Sequence, residues 1–302
     1  MAKAWYEHSA AVRDTFASAD AQLADAFPKP LSELCFEGPA DVLNRTDVSQ
    51  PALFVAGVAC MRALCEQWGT SLADAPMVAA AGLSLGEYTA LHLAGAVDFA
   101  SALSLVALRG RAMQDAAEAS DSGMLALIGA DEVKAAELCD ASRRDGVLVC
   151  ANFNAPGQIV LSGSTDAIER AQSGAGDVGL RATRLAVAGA FHSPLMQPAA
   201  DRLGEALEAT AIEPPRVPVL SNVSAEPHAE DPAAIRAGLV AQLTSPVRWA
   251  ECGAWLRDSA AKGAANGAAE GTELHELAPG KTLAGLMRRI DRSFKVISHD
   301  QP

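Results

Sequence analysis

The strongest chemical signal in the sequence is a serine between two glycines, in the pattern G-x-S-x-G over residues 82–86. A short apolar run at residues 77–81 precedes it and predicts a buried strand, and residues 87–96 predict a helix. A sharp strand-to-helix turn of this kind exposes the serine hydroxyl, and the glycines relieve crowding. The helix N-terminus offers the backbone N–H of Leu85 and a positive dipole end to an oxyanion. Ser84 is therefore the candidate nucleophile.

A serine hydroxyl needs a base before it becomes a strong nucleophile. Of the six histidines, His192 has the most suggestive position, because it lies where a small inserted domain returns to the large one. Such a junction predicts a cleft between domains. His92 is eight residues after Ser84 on the same predicted helix, so it points two turns away and is a poor base. A lone histidine is more often a surface or structural residue, so this pairing stays an expectation.

Arg109 is the third candidate, because it lies on the apolar face of a helix predicted over about residues 99–118. That face is formed by Ala102, Leu105, Val106, Ala112 and Met113, and Arg111 falls on the opposite side. An inward guanidinium needs an anionic partner, since a buried unpaired charge is costly. Its planar fork suits a bidentate carboxylate. The pattern leaves open whether that carboxylate belongs to a ligand or to a structural Asp or Glu.

The elements that must position these residues indicate two domains. Residues 124–128, 147–150, 158–161 and 182–187 predict strands, and residues 131–141 and 165–172 predict helices. This β-α-β-β-α-β order is the ferredoxin-like pattern. An α/β rhythm surrounds it, with further strands predicted at residues 217–221 and 274–277. We expect an α/β domain over residues 1–122 and 188–302, with residues 123–187 inserted as a small domain.

Two other segments of the large domain also have a predicted structure. A helix is expected from about Pro51 to Leu64, with the proline in its first turn, where a missing N–H is tolerated. Residues 260–267 are small and polar, which is typical of a flexible surface loop. The sequence contains no apparent internal repeat.

The composition excludes several classes of protein. The chain has 302 residues, half of them hydrophobic, with 24 Lys and Arg against 37 Asp and Glu, a net charge of −13. Such an acidic chain is a poor candidate for a dedicated nucleic-acid binder. No uninterrupted apolar run approaches the roughly 18–20 residues that span a bilayer, and the opening residues lack a secretory pattern. We therefore expect a cytoplasmic protein that spans no membrane.

The six cysteines and six histidines are scattered along the chain, with no CxxC and no other spacing typical of metal ligands. Each cysteine lies in a mainly apolar stretch, which favours a small buried hydrophobic residue. The sequence therefore predicts neither a structural zinc nor a disulfide framework. We expect no metal and no resident cofactor.

Taken together, several ordered segments resemble the malonyl-CoA:acyl-carrier-protein transacylase family of fatty-acid and polyketide synthesis. The segment at residues 82–91 is similar to the GHSLGEY-type nucleophile motif of that family. Further matches are S-Q-P-A-L at residues 49–53, R-G-x-x-M-Q at 109–114, N-x-N-x-P-G-Q at 152–158, G-A-F-H-S-P-L-M at 189–196 and P-G-K-T-L-A-G-L at 279–286. The resemblance covers nearly the whole chain. It implies an α/β fold, with a large hydrolase-like subdomain, an inserted ferredoxin-like subdomain and the site between them.

The resemblance implies a ping-pong acyl transfer through a covalent intermediate on Ser84. That serine attacks a thioester carbonyl, with His192 as general base and then acid and the Leu85 N–H as an oxyanion donor. Arg109 holds the free carboxylate of the malonyl group. Malonyl passes from coenzyme A to the serine and then to the phosphopantetheine thiol of an acyl carrier protein. The implied partners are malonyl-CoA and acyl carrier protein, with no other cofactor, and the enzyme is expected to be a monomer.

Two further positions are assigned by the resemblance alone. In this family a backbone carbonyl orients the histidine, and the matching position is Gln242. The lack of an obvious triad aspartate therefore does not count against a serine nucleophile. Phe191, directly before His192, resembles malonyl-selective members, because a bulky residue there crowds a branched α-carbon. We expect Gln242 to orient the histidine and Phe191 to favour malonyl.

Two departures from the family pattern bear on activity. The residue before the nucleophile is usually histidine but is Leu83 here, which removes any polar contact made at that position. Family members open with a strand and a G-Q-G-x-Q loop that supplies a second oxyanion donor, and no GQG occurs in this sequence. Loss of one such donor costs about 10²–10³ in rate. Our hypothesis is that the true start lies upstream of Met1, which the intact mass of natively expressed protein would test.

Two other functions remain open on the same residues. A serine thioesterase or acyl hydrolase would use the same turn with water as the acceptor, and it would have no use for an inward Arg109. A catalytically impaired homologue that only binds a carrier protein would follow from the missing oxyanion loop. Whether Ser84 becomes malonylated by malonyl-CoA separates the second of these from an active enzyme.

Docking of a carrier protein raises a separate question, because carrier proteins are usually acidic and so is this chain. A local basic patch is therefore needed. The candidates are Lys281, Arg288, Arg289 and Arg292 around the last helix, or Arg181 and Arg184 on the small domain. Arg288 and Arg289 also have a simpler interpretation, since basic residues compensate the dipole at a helix C-terminus.

Overall fold

The structure is a computed structural model that describes residues 1–265, 273–293 and 295–302, without the side chains of residues 260–265. The described α-helices are α1 (Lys3–His8), α2 (Ala10–Gln22), α3 (Leu31–Glu37), α4 (Ala40–Leu43), α5 (Thr46–Trp68), α6 (Gly86–Leu93), α7 (Phe99–Glu118), α8 (Glu132–Arg143), α9 (Thr165–Gly174), α10 (Gln197–Glu208), α11 (Pro232–Gln242), α12 (Trp249–Ala265) and α13 (Thr282–Ile290). The described strands are β1 (Ser122–Ala130), β2 (Leu148–Ala155), β3 (Gly157–Ser164), β4 (Arg181–Arg184), β5 (Leu274–Leu277) and β6 (Val296–His299).

The inserted small unit has the β-α-β-β-α-β order that its alternating patterns predict. Its sheet has the strand order β2-β3-β1-β4, and every neighbouring pair is antiparallel. Helices α8 and α9 pack on the sheet over one cluster of buried apolar side chains, including Leu125, Leu161 and Ile168. The last strand is shorter than the predicted 182–187, because pairing with β1 ends at Arg184. The domain boundaries at residues 123 and 187 remain predictions.

Helix α5 forms the centre of the large core and is longer than the predicted 51–64. Its backbone begins at Thr46, whose N–H donates to Gln114 Oε1 on α7 at 3.0 Å. Pro51 therefore lies inside the helix, and the expectation that it would occupy the first turn is wrong. An 18-residue window of α5 has a mean hydropathy of 1.5, enough by length and composition to cross a membrane. Since 83% of that window is buried inside the protein, the helix is explained by the core.

The predicted strands at residues 77–81 and 217–221 are wrong as strands. They touch through one parallel bridge between Ala80 and Val219, with the N–H of Ala80 donating to Pro218 at 2.9 Å. Within the described residues no second strand pairs with the other side of residues 77–81. A segment that pairs with only one neighbour, through a single bridge, is not covered on both sides as a central strand is, and Val78 is 67% exposed. The predicted strand at 274–277 is correct, because β5 pairs in parallel with β6.

The predicted loop at residues 260–267 is wrong over its first part. Helix α12 continues to Ala265, so the backbone of residues 260–265 is helical. Alanine has the highest intrinsic helix propensity, and this segment is rich in it, so propensity outweighs the small, polar character that indicated a loop. Residues 266 and 267 lie outside the described part of the chain.

Candidate active site

Ser84 lies at a strained turn directly before α6. Its backbone φ is +51°, in the left-handed region that side chains rarely occupy and that is common at functional sites. The turn is tight on one side only: a Cβ at Gly82 would lie 2.0 Å from the carbonyl carbon of Gly86, whereas a Cβ at Gly86 would meet open space. The first glycine of the motif is therefore required by close backbone approach, and the expected crowding at the second is absent.

The side chain of Asn222 fastens this turn from a distant part of the chain. Its Oδ1 accepts from the Ser84 N–H at 2.6 Å, and its Nδ2 donates to the Gly82 carbonyl at 2.8 Å. Asn222 is fully buried, so both bonds form away from water, where an unmade bond would be costly. The N–H of Leu85 has no partner among the described residues of the turn. It is therefore free to bind an oxyanion.

His192 lies against the serine hydroxyl, with 2.8 Å between its Nε2 and Ser84 Oγ. Its Nδ1 lies 2.8 Å from the carbonyl oxygen of Gln242, at the C-terminal end of α11. A carbonyl only accepts, so Nδ1 carries the proton and Nε2 presents a lone pair to the hydroxyl. Burial lowers the pKa of His192 to about 4, assisted by the charge of Arg109 and opposed by the bond to Gln242. The ring is therefore neutral at pH 7, as a general base requires.

Arg109 is buried, with 1% of its surface exposed, and its guanidinium reaches the serine. Nη1 donates to Gln50 Oε1 at 2.6 Å, and Nη2 donates to Ser84 Oγ at 3.0 Å and to Gln242 Oε1 at 2.9 Å. Its Nε has no partner, and no described carboxylate forms a salt bridge with it. The alternative of a structural Arg–Asp or Arg–Glu pair is therefore wrong. Arg109 is a buried cation beside the nucleophile, held by two neutral amides.

The remaining predicted residues lie around this group. Phe191 is half-buried between the large core and a small cluster of Met124, Ala151 and Val160 on the sheet. Its carbonyl accepts from Ser162 Oγ at 2.6 Å, which ties the histidine loop to β3. Leu83 packs against a separate apolar cluster that contains Val247 and Trp249. The structure thus brings together the serine, the histidine, the arginine and the Gln242 carbonyl, with Phe191 adjacent in sequence. The role of Phe191 in selectivity remains a prediction.

Sequence reasoning missed four polar residues that complete the site: Gln50, Glu87, Asn222 and His228. Gln50 lies in the S-Q-P-A-L segment and Glu87 in the nucleophile motif, and neither motif by itself predicts a role for these side chains. Glu87 is completely buried, with an accessible surface of 0%. Asn222 and His228 lie just after the strand predicted at residues 217–221, in a stretch that belongs to no motif and no predicted element, so no local pattern indicates them. Among the described residues, no group of three or more His, Cys, Asp or Glu side chains is placed to hold a metal ion.

Comparison with known proteins identifies the family. The acyl transferase domain family matches residues 1–266 of the chain. The chain belongs to the acyl transferase family. This acyl transferase is 40% identical, over 293 residues, to a protein of Salmonella typhimurium named malonyl CoA-acyl carrier protein transacylase. The match covers 96% of this chain and 88% of that protein.

Solved structures of acyl transferases have the same fold. An acyl carrier protein S-malonyltransferase from Vibrio cholerae matches with a TM-score of 0.88 and 37% identity, over 100% of this chain and 92% of that chain. A malonyl-transacylase solved in complex with a type II PKS acyl-carrier protein matches with a TM-score of 0.89 and 35% identity, again over 100% and 92%. The resemblance based on motifs and the α/β fold with a small sheet subdomain are both confirmed.

Proposed function

We propose that this acyl transferase moves a malonyl group from malonyl-CoA to the phosphopantetheine thiol of an acyl carrier protein, through an ester on Ser84. One observation supports it above the others: the buried guanidinium of Arg109 lies 3.0 Å from the serine hydroxyl and has no carboxylate partner in the described residues. A cation in that position is matched by an acyl group that carries its own carboxylate. The relatives named malonyl CoA-acyl carrier protein transacylase indicate malonyl-CoA as the acyl donor and an acyl carrier protein as the acceptor.

In the first half-reaction the neutral ring of His192 takes the proton from Ser84 Oγ as that oxygen attacks the thioester carbonyl. The new C–O bond forms, the carbonyl becomes an oxyanion, and the N–H of Leu85 donates to it. The imidazolium is held by the Gln242 carbonyl at 2.8 Å from Nδ1. The intermediate then collapses, the C–S bond breaks, and the coenzyme A thiolate takes the proton from Nε2. Malonyl is left as an ester on the serine.

In the second half-reaction the same groups act in reverse. The carrier protein's thiol gives its proton to His192 Nε2 and attacks the ester carbonyl, and the Ser84 oxygen leaves with that proton. Throughout both steps Arg109 keeps the malonyl carboxylate in place, which orients the reacting carbonyl over the serine. We also propose a cytoplasmic monomer that needs no cofactor beyond the phosphopantetheine brought by the carrier protein.

The experiment that tests the proposed function is mass spectrometry of the intact chain after mixing with malonyl-CoA. We expect one malonyl group on Ser84 and none in the Ser84→Ala variant. Adding a phosphopantetheinylated carrier protein should then move the label to its thiol. A label lost to water at the same rate without the carrier protein would indicate the hydrolase, and a chain that never takes the label would indicate the impaired carrier-binding homologue.

The pH dependence of acylation follows from the environment of His192. Its pKa of about 4 in the free enzyme means that the base stays neutral far into the acid range. We expect kcat/KM for Ser84 acylation to fall on the acid side near pH 4. A bound malonyl carboxylate offsets the charge of Arg109, so the acid limb of kcat should lie at a higher pH. Rapid-quench acylation rates across the acid range would measure both, and a limb of kcat/KM at the ordinary histidine value of about 6.5 would contradict the assignment.

For docking of the carrier protein we propose the basic patch at the end of α13. Arg288, Arg289 and Arg292 are exposed and line a cavity of about 650 Å³ with Pro156. Within the described residues none of these three arginines forms a salt bridge. On the small subdomain, by contrast, Arg184 lies 3.7 Å from Glu169. Unpaired arginines keep their full charge for an acidic partner, so the α13 patch is favoured over the alternative.

Reversing two of these charges, in the double variant Arg288→Glu and Arg289→Glu, is expected to raise KM for the carrier protein about tenfold. Loading of Ser84 from malonyl-CoA should change less than about twofold, because the nucleophile is untouched. Steady-state transfer to the carrier protein and single-turnover loading would be measured separately, with Arg181→Glu as the control on the other candidate surface. An unchanged KM in the double variant, or a rise only in the control, would exclude the α13 patch.

A further inference from the structure

Behind the nucleophile lies a buried carboxylate to which the mechanism assigns no step. Glu87, in the first turn of α6, has no accessible surface, and its carboxylate accepts three hydrogen bonds. Oε1 faces His228 Nε2 at 2.7 Å, and Oε2 accepts from Gln242 Nε2 at 2.6 Å and from the Asn222 N–H at 3.0 Å. The His228 side chain is itself only 4% exposed. The fold surrounds this buried carboxylate with hydrogen-bond donors, because each bond left unmade would be costly.

The side chain of Gln242 lies between this carboxylate and the guanidinium of Arg109. Its Nε2 donates to Glu87 and also to the Ser84 carbonyl at 3.0 Å, and its Oε1 accepts from Arg109 Nη2 at 2.9 Å. A carboxylate only accepts and a guanidinium only donates, so only one orientation of the amide satisfies both neighbours. If the amide were reversed, its NH₂ group would face the guanidinium and its oxygen would face the carboxylate. Glu87 therefore determines, together with the Ser84 carbonyl, which end of the amide Arg109 meets, and of the two contacts to Nε2 the one to the Glu87 carboxylate is the shorter and the charged one.

Separation of Glu87 from Arg109 by one amide has a consequence for binding. Burial lowers the pKa of Arg109, and Tyr88 and Glu87 act in the opposite direction, so the carboxylate helps to keep the guanidinium charged. A direct ion pair would do this more strongly, but it would occupy the donors that an incoming carboxylate needs. An intervening amide supports the cation and takes one N–H of Nη2, while the N–H that faces Ser84 Oγ and the Nε that has no partner among the described residues can still bind an incoming carboxylate.

We propose that Glu87, held in place by His228, is a positioning residue that fixes the Gln242 amide so that Arg109 stays aimed at the acyl group, and that it thereby sets the preference for acyl groups bearing a carboxylate. The inference rests on the proposed function, because it concerns how the same site selects malonyl. It assigns Glu87 and His228 no contact with substrate. Loss of the carboxylate lets the amide reverse and displaces the guanidinium. Loading of Ser84 with malonyl is then slowed more than loading with the uncharged acetyl group.

The test is a competition in which the enzyme is mixed with equal concentrations of malonyl-CoA and acetyl-CoA, and the two labels on Ser84 are counted by mass spectrometry. Glu87→Met removes the acceptor at similar volume. Glu87→Gln keeps an oxygen for Gln242 and Asn222, while its NH₂ group meets a His228 ring whose tautomer can change. His228→Leu and His228→Gln form a second pair, since the Gln amide nitrogen can replace the Nε2 donor.

We expect the acetyl share of the label to rise at least about fivefold in Glu87→Met and in His228→Leu, a change that a 1 kcal/mol loss of discrimination produces. In Glu87→Gln and His228→Gln it should stay within about twofold. The matched control is Glu276→Met, because Glu276 is also a buried glutamate of the large subdomain, but it binds the N–H groups of Leu283 and Ala284 on α13. That variant should lose thermal stability and keep the acetyl share.

An unchanged acetyl share in a folded Glu87→Met or His228→Leu variant would overturn the proposal, as would an equal loss of both labels. If Glu87→Met does not fold, the His228 pair decides alone. Failure of the proposed function is seen separately, because it appears as a wild-type Ser84 that takes no malonyl label at all.

Discussion

Replacing His192 by alanine is expected to slow the malonylation of Ser84 by about 10⁴-fold, at the upper end for removal of a general base. The reason is geometric: Nε2 lies 2.8 Å from Ser84 Oγ, and no other described side chain with a free lone pair replaces it there, since the neighbouring Arg109 only donates. The same ring returns the proton to the leaving thiolate, so both half-reactions lose their acid–base group. Single-turnover mass spectrometry of the acyl-enzyme at neutral pH would measure the loss.

A matched control is available in His92, on the same helix as the nucleophile turn. Its Nδ1 also lies against a backbone carbonyl, that of Val97 at 3.0 Å, and the residue is also buried. Substituting His92 by asparagine keeps a donor for that carbonyl and should leave acylation within about threefold. If His192→Ala retained activity within about tenfold of the wild type, another group would have to be the base.

The small subdomain could be predicted from sequence because its elements are specified locally. Strands β1 and β3 consist of alternating or consecutive apolar residues. Helices α8 and α9 begin where the spacing of apolar residues changes from that of a strand to that of a helix, and only short turns connect these elements. The large subdomain is less local. Residues 77–81 are as apolar as a buried strand, but a strand also needs neighbours to pair with, and this is a tertiary property that composition does not contain. The start of α5 at Thr46 likewise depends on a side chain of α7.

The same division holds for the site. Ser84, Arg109 and His192 could be predicted because a turn motif, an inward position on a helix and a family segment each indicate them. Asn222 and His228 could not, because they meet the nucleophile turn across 138 and 141 residues of sequence. They act through hydrogen bonds to groups that local patterns do not connect. A serine turn is recognisable from five residues, whereas the polar network that holds it is recognisable only once the chain is folded.

Two buried charges of opposite sign therefore define the interior of the site, and neither touches the other. Glu87 is surrounded by donors, and Arg109 by the neutral acceptors Gln50 and Gln242. Buried charges are costly unless fully bonded, and the Nε of Arg109 has no partner among the described residues, so this unfilled capacity is a property that folding alone does not explain. It is the capacity that the proposed malonyl carboxylate would fill.

Replacing Arg109 by alanine is expected to lower kcat/KM for Ser84 malonylation by about 10³-fold, the loss typical of removing one partner of a buried charged pair. Arg109→Lys keeps the charge but not the planar fork, so we expect an intermediate loss. Loading from acetyl-CoA, which has no carboxylate to bind, should fall far less in either variant. The Arg109→Ala enzyme should also show its acid limb at a higher pH, because the cation that helps to lower the pKa of His192 is gone.

Arg111 provides the control, because it lies two residues further along α7 and is exposed. Arg111→Ala should leave malonyl loading within about twofold, and thermal denaturation of all three variants would show whether they are folded. A serine hydrolase that uses the same turn with water as its acceptor has no need for an inward cation. Malonyl turnover that survives the loss of Arg109 would therefore favour that reaction over transfer, whereas a selective loss of malonyl over acetyl loading is the result expected of a site that binds the free carboxylate of the malonyl group.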